Sequence, residues 1–296
     1  MHSLKQVVVA LRLCYFFPMQ TDMNEVLRYL LPYVVTAGAY SAEIQARVAS
    51  REQKGGDTIF HHALSDADLS IQAFLEVALL ARFPNLCYFS EEQEQSLNRK
   101  YFLGNSALEI LLDPVDGTRP YIDGKEYYQI IVTLHDDREI VGSICYMPRR
   151  NRCFVATKGS GAYLLTREDV ASGRPGLRWD VRKGDGPVLL FNSPELTERI
   201  SKTMLAKDLV TAYTAEPGRY HSTDILEGTA SAVVYRTCQA IDGGSIAFIA
   251  TESGAMLTDF YGNAIPSFRS VPSRVLPNLV LSVNPAVHKK VLEALR

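Results

Sequence analysis

Asp113 and Asp116 stand three residues apart at the end of an apolar run over residues 108–112, broken only by Glu109, and Gly117 and Thr118 follow directly. The apolar run predicts a buried strand that delivers its end to a surface. Pro114 cannot donate to a sheet ladder, so the strand is expected to stop there and the chain to turn. Such a turn places Asp113, the Val115 carbonyl and Asp116 on one small arc of hard oxygen donors. That arc suits Mg²⁺, which takes carboxylates, keeps waters and binds substrate phosphates. Gly117 admits a close ligand, and Thr118 offers a hydroxyl at the same spot. Taken alone, the same residues equally describe an ordinary turn with Asp at its usual positions.

Other segments bear on the choice. Asp113-Pro114-Val115-Asp116-Gly117-Thr118 resembles the Asp-Pro-(Ile/Leu/Val)-Asp-Gly-Thr signature of the inositol monophosphatase superfamily. That superfamily also holds the 3'(2'),5'-bisphosphate nucleotidases and fructose-1,6-bisphosphatases. Upstream, Phe89-Ser90-Glu91-Glu92 resembles its Gly/Ser-Glu-Glu element, and Ser65-Asp66-Ala67-Asp68 a helix start of the Thr-x-x-Asp kind. Downstream, Lys158-Gly159-Ser160-Gly161-Ala162 resembles its Gly-x-Gly-Ala turn. Ile241-Asp242-Gly243-Gly244 with Thr251-Glu252-Ser253-Gly254 is similar to its Trp-Asp-x-(Ala)-Gly and Glu-x-Gly-Gly element. The segments fall in family order from about Met23 to the C-terminus.

The resemblance implies a Mg²⁺-dependent, Li⁺-sensitive phosphomonoester hydrolase acting on inositol monophosphate or a similar sugar or polyol phosphate. It implies two or three Mg²⁺ ions, with Glu91, Asp113, the Val115 carbonyl, Asp116 and Asp242 as ligands. Asp113 would bridge two ions, with Asp116 and Asp242 completing the second site. Glu91 and Thr118 would flank the nucleophilic water, Thr118 relaying its proton towards Asp68. Backbone N–H groups of Gly117 and Thr118 would hold the phosphate. Either Asp66 or Asp68 caps the helix, leaving the other for chemistry. Glu92 is either a solvated neighbour of the site or a support behind it. Two departures stand out: Ile241 replaces the Trp before Asp242, and His61-His62 lies where the family usually carries Asp-x-x-Thr, at the loop that brings the third metal. Adjacent histidines mark a polar loop more often than a metal site.

Substrate choice rests on fewer residues. Where inositol monophosphatases place an acidic residue against inositol hydroxyls, an ungapped reading puts Tyr235, followed by Arg236. Arg suits a second phosphate better than a bare polyol. Gln72 and Ser90 also look like the bisphosphate nucleotidases, so 3'-phosphoadenosine 5'-phosphate is the alternative substrate and fructose 1,6-bisphosphate another. Tyr235 could equally be a core aromatic, and Arg236 a surface residue. A third reading, from another class, is a catalytically silent regulatory or RNA-binding relative. The full carboxylate set argues against it. His221, Ser222 and Asp224 lie close in sequence, but no Gly-x-Ser-x-Gly accompanies them, which argues against Ser/His/Asp hydrolysis.

The elements that must carry these residues are legible as periodicities. Residues 24–49 and 68–83 have helical apolar spacing, with Gly38 a close-packing point in the first and Pro84 ending the second. A polar, Gly-containing loop is expected over 51–57. Residues 127–133 and 140–146 form a hairpin around Asp136-Asp137, and 152–156 and 161–165 continue the antiparallel pattern. Residues 166–187, long, polar and rich in Gly and charge, are expected to mark the domain boundary. A strand over 188–191 and helices over 194–205 and 246–253 follow. Together they predict an α+β or α/β chain, and the resemblance implies a layered α-β-α-β-α sandwich. Three regions result: an N-terminal extension (1–22), an α+β domain with most metal ligands (23–183), and an α/β domain with Asp242 and substrate contacts (184–296).

At 296 residues, 47% hydrophobic and 22% charged, the chain has an ordinary globular profile. A net charge of −2 offers no field for nucleic acid or an anionic membrane, so the expected partner is a small phosphorylated substrate. The family suggests a homodimer. Five scattered cysteines without a Cys-x-x-Cys pair support neither a disulfide framework nor a zinc ribbon. Arg12 interrupts the apolar stretch 7–17 and no small-x-small site follows it, so a cytoplasmic protein is expected.

Overall fold

The computed structural model describes residues 21–47, 65–137, 139–265 and 274–296. The N-terminal extension, the loop 51–57 and the His61-His62 pair lie outside the described residues. Two helices open the described chain, α1 (Met23–Ile44) and α2 (Asp66–Leu80). Then come strands β1 (Cys87–Ser90) and β2 (Glu109–Asp116), the short helix α3 (Thr118–Ile122), and β3 (Gln129–His135), β4 (Ile140–Met147), β5 (Arg152–Thr157) and β6 (Gly161–Leu165). Helix α4 (Arg167–Ser172) and β7 (Leu177–Arg178) complete this half. The second half runs β8 (Val188–Leu190), α5 (Pro194–Ser201), β9 (Ala206–Asp208), α6 (Leu209–Ala215), α7 (Asp224–Glu227), β10 (Ala232–Tyr235) and β11 (Cys238–Gln239). After a π-helical turn over Ala240–Gly244 come α8 (Ser245–Glu252), β12 (Met256–Thr258), β13 (Val275–Leu276), β14 (Leu279–Ser282) and α9 (Pro285–Leu295).

Strands β1 to β7 form one sheet in sequence order, antiparallel except for the β1–β2 pair. A five-stranded sheet has the order β12-β14-β10-β8-β9, with β8, β9 and β10 parallel. Side-chain alternation sorts these strands into layers. Ile130 and Val132 of β3 pack with Leu30 of α1 and Leu75 of α2, whereas Ile131 packs on the opposite face with Ile246 and Ile249 of α8. The same middle layer takes Leu189, Val233 and Leu281 from the second sheet. That sheet's outer face, Val188, Val234 and Val280, lies under Ile200 of α5 and Val291 of α9. The order is therefore helix, sheet, helix, sheet, helix, the expected sandwich. Gly38 is the close-packing point expected of it, since the Tyr146 ring occupies the space a Cβ would need. Among the described residues no helix is long and apolar enough to cross a membrane.

Two expectations need correction, the strand end at Pro114 and the length of the helix from Pro194. Strand β2 does not stop at Pro114 but runs to Asp116 through a bulge, pairing Asp113 with Ile131 and Asp116 with Gln129. The bulge releases Pro114 from the ladder, so its missing N–H costs nothing there. Residues 166–187, expected as the domain boundary, carry short elements of their own. Thr166 and Asp169 cap α4 reciprocally, and Leu177 and Arg178 add an edge strand to β6. The charge that reads as a boundary lies on exposed faces of these short pieces. The helix expected over 194–205 ends at Ser201, where Thr203 and Met204 turn back onto the Ile200 carbonyl.

Candidate active site

Helix α2 places Asp68. Its N-cap is Ser65, so Asp66 is not the cap. Asp68 is the N3 partner of a capping box, and its Oδ2 accepts from the Ser65 hydroxyl (2.6 Å) and the Ser65 amide (2.9 Å). Its Oδ1 accepts from the Thr118 hydroxyl at 3.2 Å. Asp68 is fully buried, and burial above all, opposed by Ser65 and aided by the Glu91 and Glu92 charges, pushes its pKa up to about 7. Glu92 is itself buried, which settles its two readings against a solvated neighbour.

The β2 bulge sets the acidic arc. The Val115 amide donates to Asp113 Oδ1 (3.0 Å), the Thr118 hydroxyl shares its one proton between Asp68 Oδ1 and the Val115 carbonyl 2.9 Å away, and Gly117 turns the chain at φ +88° into α3. A Cβ on Gly117 would sit 2.9 Å from the Tyr127 carbonyl, so both its φ and its surroundings require glycine. Asp113 is 2% exposed. Burial, and then the charges of Glu91, Asp116 and Asp242, hold it well above the usual carboxylate range. Asp116 is pushed up to about 6 by burial, against the Gln129 amide and the Gly117 N–H, with the Glu91 charge adding to the rise. Asp242 comes from the π-helical turn ahead of α8, a local widening that often marks functional positions.

Glu91, Asp113, Val115, Asp116, Gly117, Thr118, Tyr235, Arg236 and Asp242 all line one cleft of about 700 Å³ between the two halves. Asp68 lies behind the wall, reached through Thr118. Among the described residues, no three of His, Cys, Asp or Glu are gathered tightly around one ligating point. The carboxylates therefore share a chamber without forming a closed cage. Arg236, half exposed, pairs with the exposed Glu195 at 3.0 Å.

Some contributors were not legible in sequence. Gln129, fully buried at the start of β3, donates its side-chain amide to Asp116. Its partner across the bulge could have been found only from the pairing register. Gly159 and Gly161 each donate a backbone amide to the Glu252 carboxylate at 3.0 Å. The Gly-x-Gly turn and the Glu-x-Gly element thus lock β5–β6 onto α8. Tyr127, Phe191, Tyr213, Tyr220 and His221 complete the cleft wall.

A five-layer sandwich with an acidic cleft between its halves is the architecture of a known phosphatase family. Residues 23–296 match the family model described as Inositol monophosphatase family, and the chain belongs to that family. An inositol-1-monophosphatase of Rhizobium meliloti is 28% identical over 104 residues, 35% of this chain and 37% of that protein. The alignment thus spans little more than a third of that relative's length. Among solved structures, the Thermotoga maritima IMPase superposes with a TM-score of 0.67 at 20% identity, covering 92% of this chain and 96% of that one. An IMPase/NADP phosphatase solved with Mg²⁺ and phosphate gives 0.64 at 15% identity, covering 92% and 95%.

Proposed function

We propose that the chain is a divalent-metal-dependent phosphomonoester hydrolase acting on inositol monophosphate or a similar small phosphate ester. The observation that carries this reading is that Glu91, Asp113, Asp116 and Asp242 line one cleft, the other three charges acting on the buried Asp113, with the Thr118–Asp68 pair at its wall. The charges acting most strongly on Asp113 are all acidic, and its own donor atoms are hard oxygens. Such a donor set fits Mg²⁺, with Glu91, Asp113, the Val115 carbonyl, Asp116 and Asp242 as the groups that would hold two or three ions. Bound ions would neutralise the phosphoryl oxygens and lower the pKa of water.

The chain's own residues supply the rest. Hydrolysis puts a water oxygen on phosphorus and breaks the bond to the ester oxygen. The proton that water loses is balanced by the one the departing alkoxide gains, so an alcohol and inorganic phosphate result. Thr118 Oγ1 bridges the acidic arc to Asp68, and Asp68, with a pKa of about 7, can accept a proton near neutrality. Ser65 fixes that carboxylate through two hydrogen bonds, leaving Oδ1 for Thr118. Gln129 orients Asp116 from the far side of the bulge.

A second reading, hydrolysis of a bisphosphate such as 3'-phosphoadenosine 5'-phosphate, is favoured by Arg236 on the cleft wall. Its pair with Glu195 is a surface ion pair of low worth that a phosphate can displace. The test is phosphate release with Mg²⁺ from inositol 1-phosphate and from the bisphosphate side by side, with Asp116→Asn as the blank. Release that disappears in the variant supports the hydrolase. Silence of the wild-type chain on both esters and on other sugar phosphates returns the regulatory reading.

A further inference from the structure

Glu91 and Asp242 reach the cleft from distant parts of the chain, one from just past β1 and the other from the turn ahead of α8. A single residue touches both segments. Arg274, next to the cleft-lining Val275, pairs its guanidinium with the Glu109 carboxylate at the start of β2. The same guanidinium lies over the Phe89 ring of β1, 4.2 Å from the ring centre. The Arg274 carbonyl accepts the Ala240 amide at 2.9 Å, and Val275 and Leu276 pair antiparallel with Gln239 and Cys238. Phe89 itself packs with Leu111, Ala240 and Ile241, a small apolar cluster apart from the three larger cores. Glu109 is held on its other side, 3.2 Å from His135 Nε2, and its side chain is 12% exposed. Arg274 takes φ +53°, a left-handed conformation that a non-glycine residue keeps where its contacts fix it.

We propose that Arg274 is a positioning residue that holds the segment of Asp242 against the strands of Glu91 and Asp113, so that the cleft carboxylates stand ready for Mg²⁺ before it binds. The inference rests on the hydrolase reading for the metal and on these contacts alone for the tie. The contacts fall at Phe89, two residues before Glu91, at Glu109, four before Asp113, and at Ala240, two before Asp242. Each therefore fixes backbone close to a ligand. The charges of Glu91, Asp116 and Asp242 all act against that of Asp113, and such repulsion favours walls that stand apart. Arg274 opposes that spread through an ion pair and a ring contact. Binding energy that would otherwise draw the walls together then goes into holding the ion. The Arg274 side chain is 36% exposed, so its pair with Glu109 matters through geometry more than through stability. Lysine would keep the ion pair but has no planar face to lay on Phe89.

The test compares wild type, Arg274→Ala, Arg274→Lys and, as the blank, Asp116→Asn. Mg²⁺ binding is measured by calorimetry without substrate, amide hydrogen exchange in the metal-free proteins, and phosphate release from inositol 1-phosphate across a Mg²⁺ series. In Arg274→Ala the Mg²⁺ Kd is expected to weaken by about fivefold or more, with Arg274→Lys in between. The Mg²⁺ concentration for half-maximal release rises by the same factor. Amides of residues 87–91 and 238–244 exchange faster, while those of β8 and β10 keep their rates. If Arg274→Ala does not fold, Arg274→Lys carries the comparison. An unchanged Mg²⁺ Kd with only a lower melting temperature overturns the positioning role and leaves the hydrolase standing. Wild type that binds Mg²⁺ no better than Asp116→Asn and releases no phosphate overturns the hydrolase. Faster exchange confined to the two segments then keeps Arg274 as their tie, and unchanged exchange overturns both.

Discussion

Thr118 Oγ1 and Asp68 Oδ1 meet at 3.2 Å across 50 residues of sequence, joining the turn after β2 to the N-terminus of α2. The contact places a buried carboxyl with a pKa near 7 one hydroxyl away from the acidic arc.

If Asp68 receives a proton through Thr118, Asp68→Asn lowers kcat by on the order of 10²-fold or more while KM changes little. The pH profile decides between this role and simple support of the helix cap. Wild-type kcat has an acid limb at or below pH 7, since Asp68 must be ionised, and bound cations move the limb downward. The limb disappears in Asp68→Asn. A variant with normal kcat and only a lower melting temperature would reduce Asp68 to a capping residue.

Crowded carboxylates oppose folding when ionised. A carboxyl whose folded pKa is raised adds stability below its unfolded value, and that stability is lost as pH rises through the folded value, about 6 for Asp116. Millimolar Mg²⁺ should therefore raise the melting temperature by a few degrees at pH 7.5 and by less at pH 5.5. Asp116→Asn should melt higher than wild type without Mg²⁺ and respond little to it. A Mg²⁺ response that is the same in both proteins would contradict the ligand assignment.

Glu252 holds two backbone amides of the β5–β6 turn. Because the site is partly exposed, Glu252→Gln should cost only about 1 kcal/mol, or roughly 2–4 °C in melting temperature. Kinetic constants of the folded variant should match wild type. A large loss of kcat without a loss of stability would move Glu252 from the fold into the chemistry.

His221 is pushed down to about 4, first by burial and then by Arg150. A group so depressed contributes stability above its unfolded pKa of about 6.5 that is lost as pH falls through 4. The melting-temperature difference between wild type and His221→Asn should accordingly narrow, or reverse, on going from pH 7 to pH 4.5. A constant difference would mean that the imidazole is already solvated in the folded state.

Much of this was legible from residue order alone, where the determining interactions are local. Apolar spacing located α1, α2 and the β3–β4 hairpin, because a helix face and a strand face repeat within a few residues. Asp113, Asp116, Gly117 and Thr118 could be grouped because one turn holds them, and Glu91 and Asp242 joined them through their motifs. Residues whose role depends on a distant partner were not legible. In sequence Pro114 reads as a strand end, because the bulge that frees it exists only opposite Ile131 and Gln129. Gln129 meets Asp116 through pairing register, Glu252 meets Gly159 across 93 positions, and the cleft draws its lining from segments as far apart as Glu91 and Val275. The sequence by itself determined the donor types and the elements that carry them. Only the tertiary structure decided which groups face one another, since sheet register and layer packing are set by burial of apolar faces far apart along the chain.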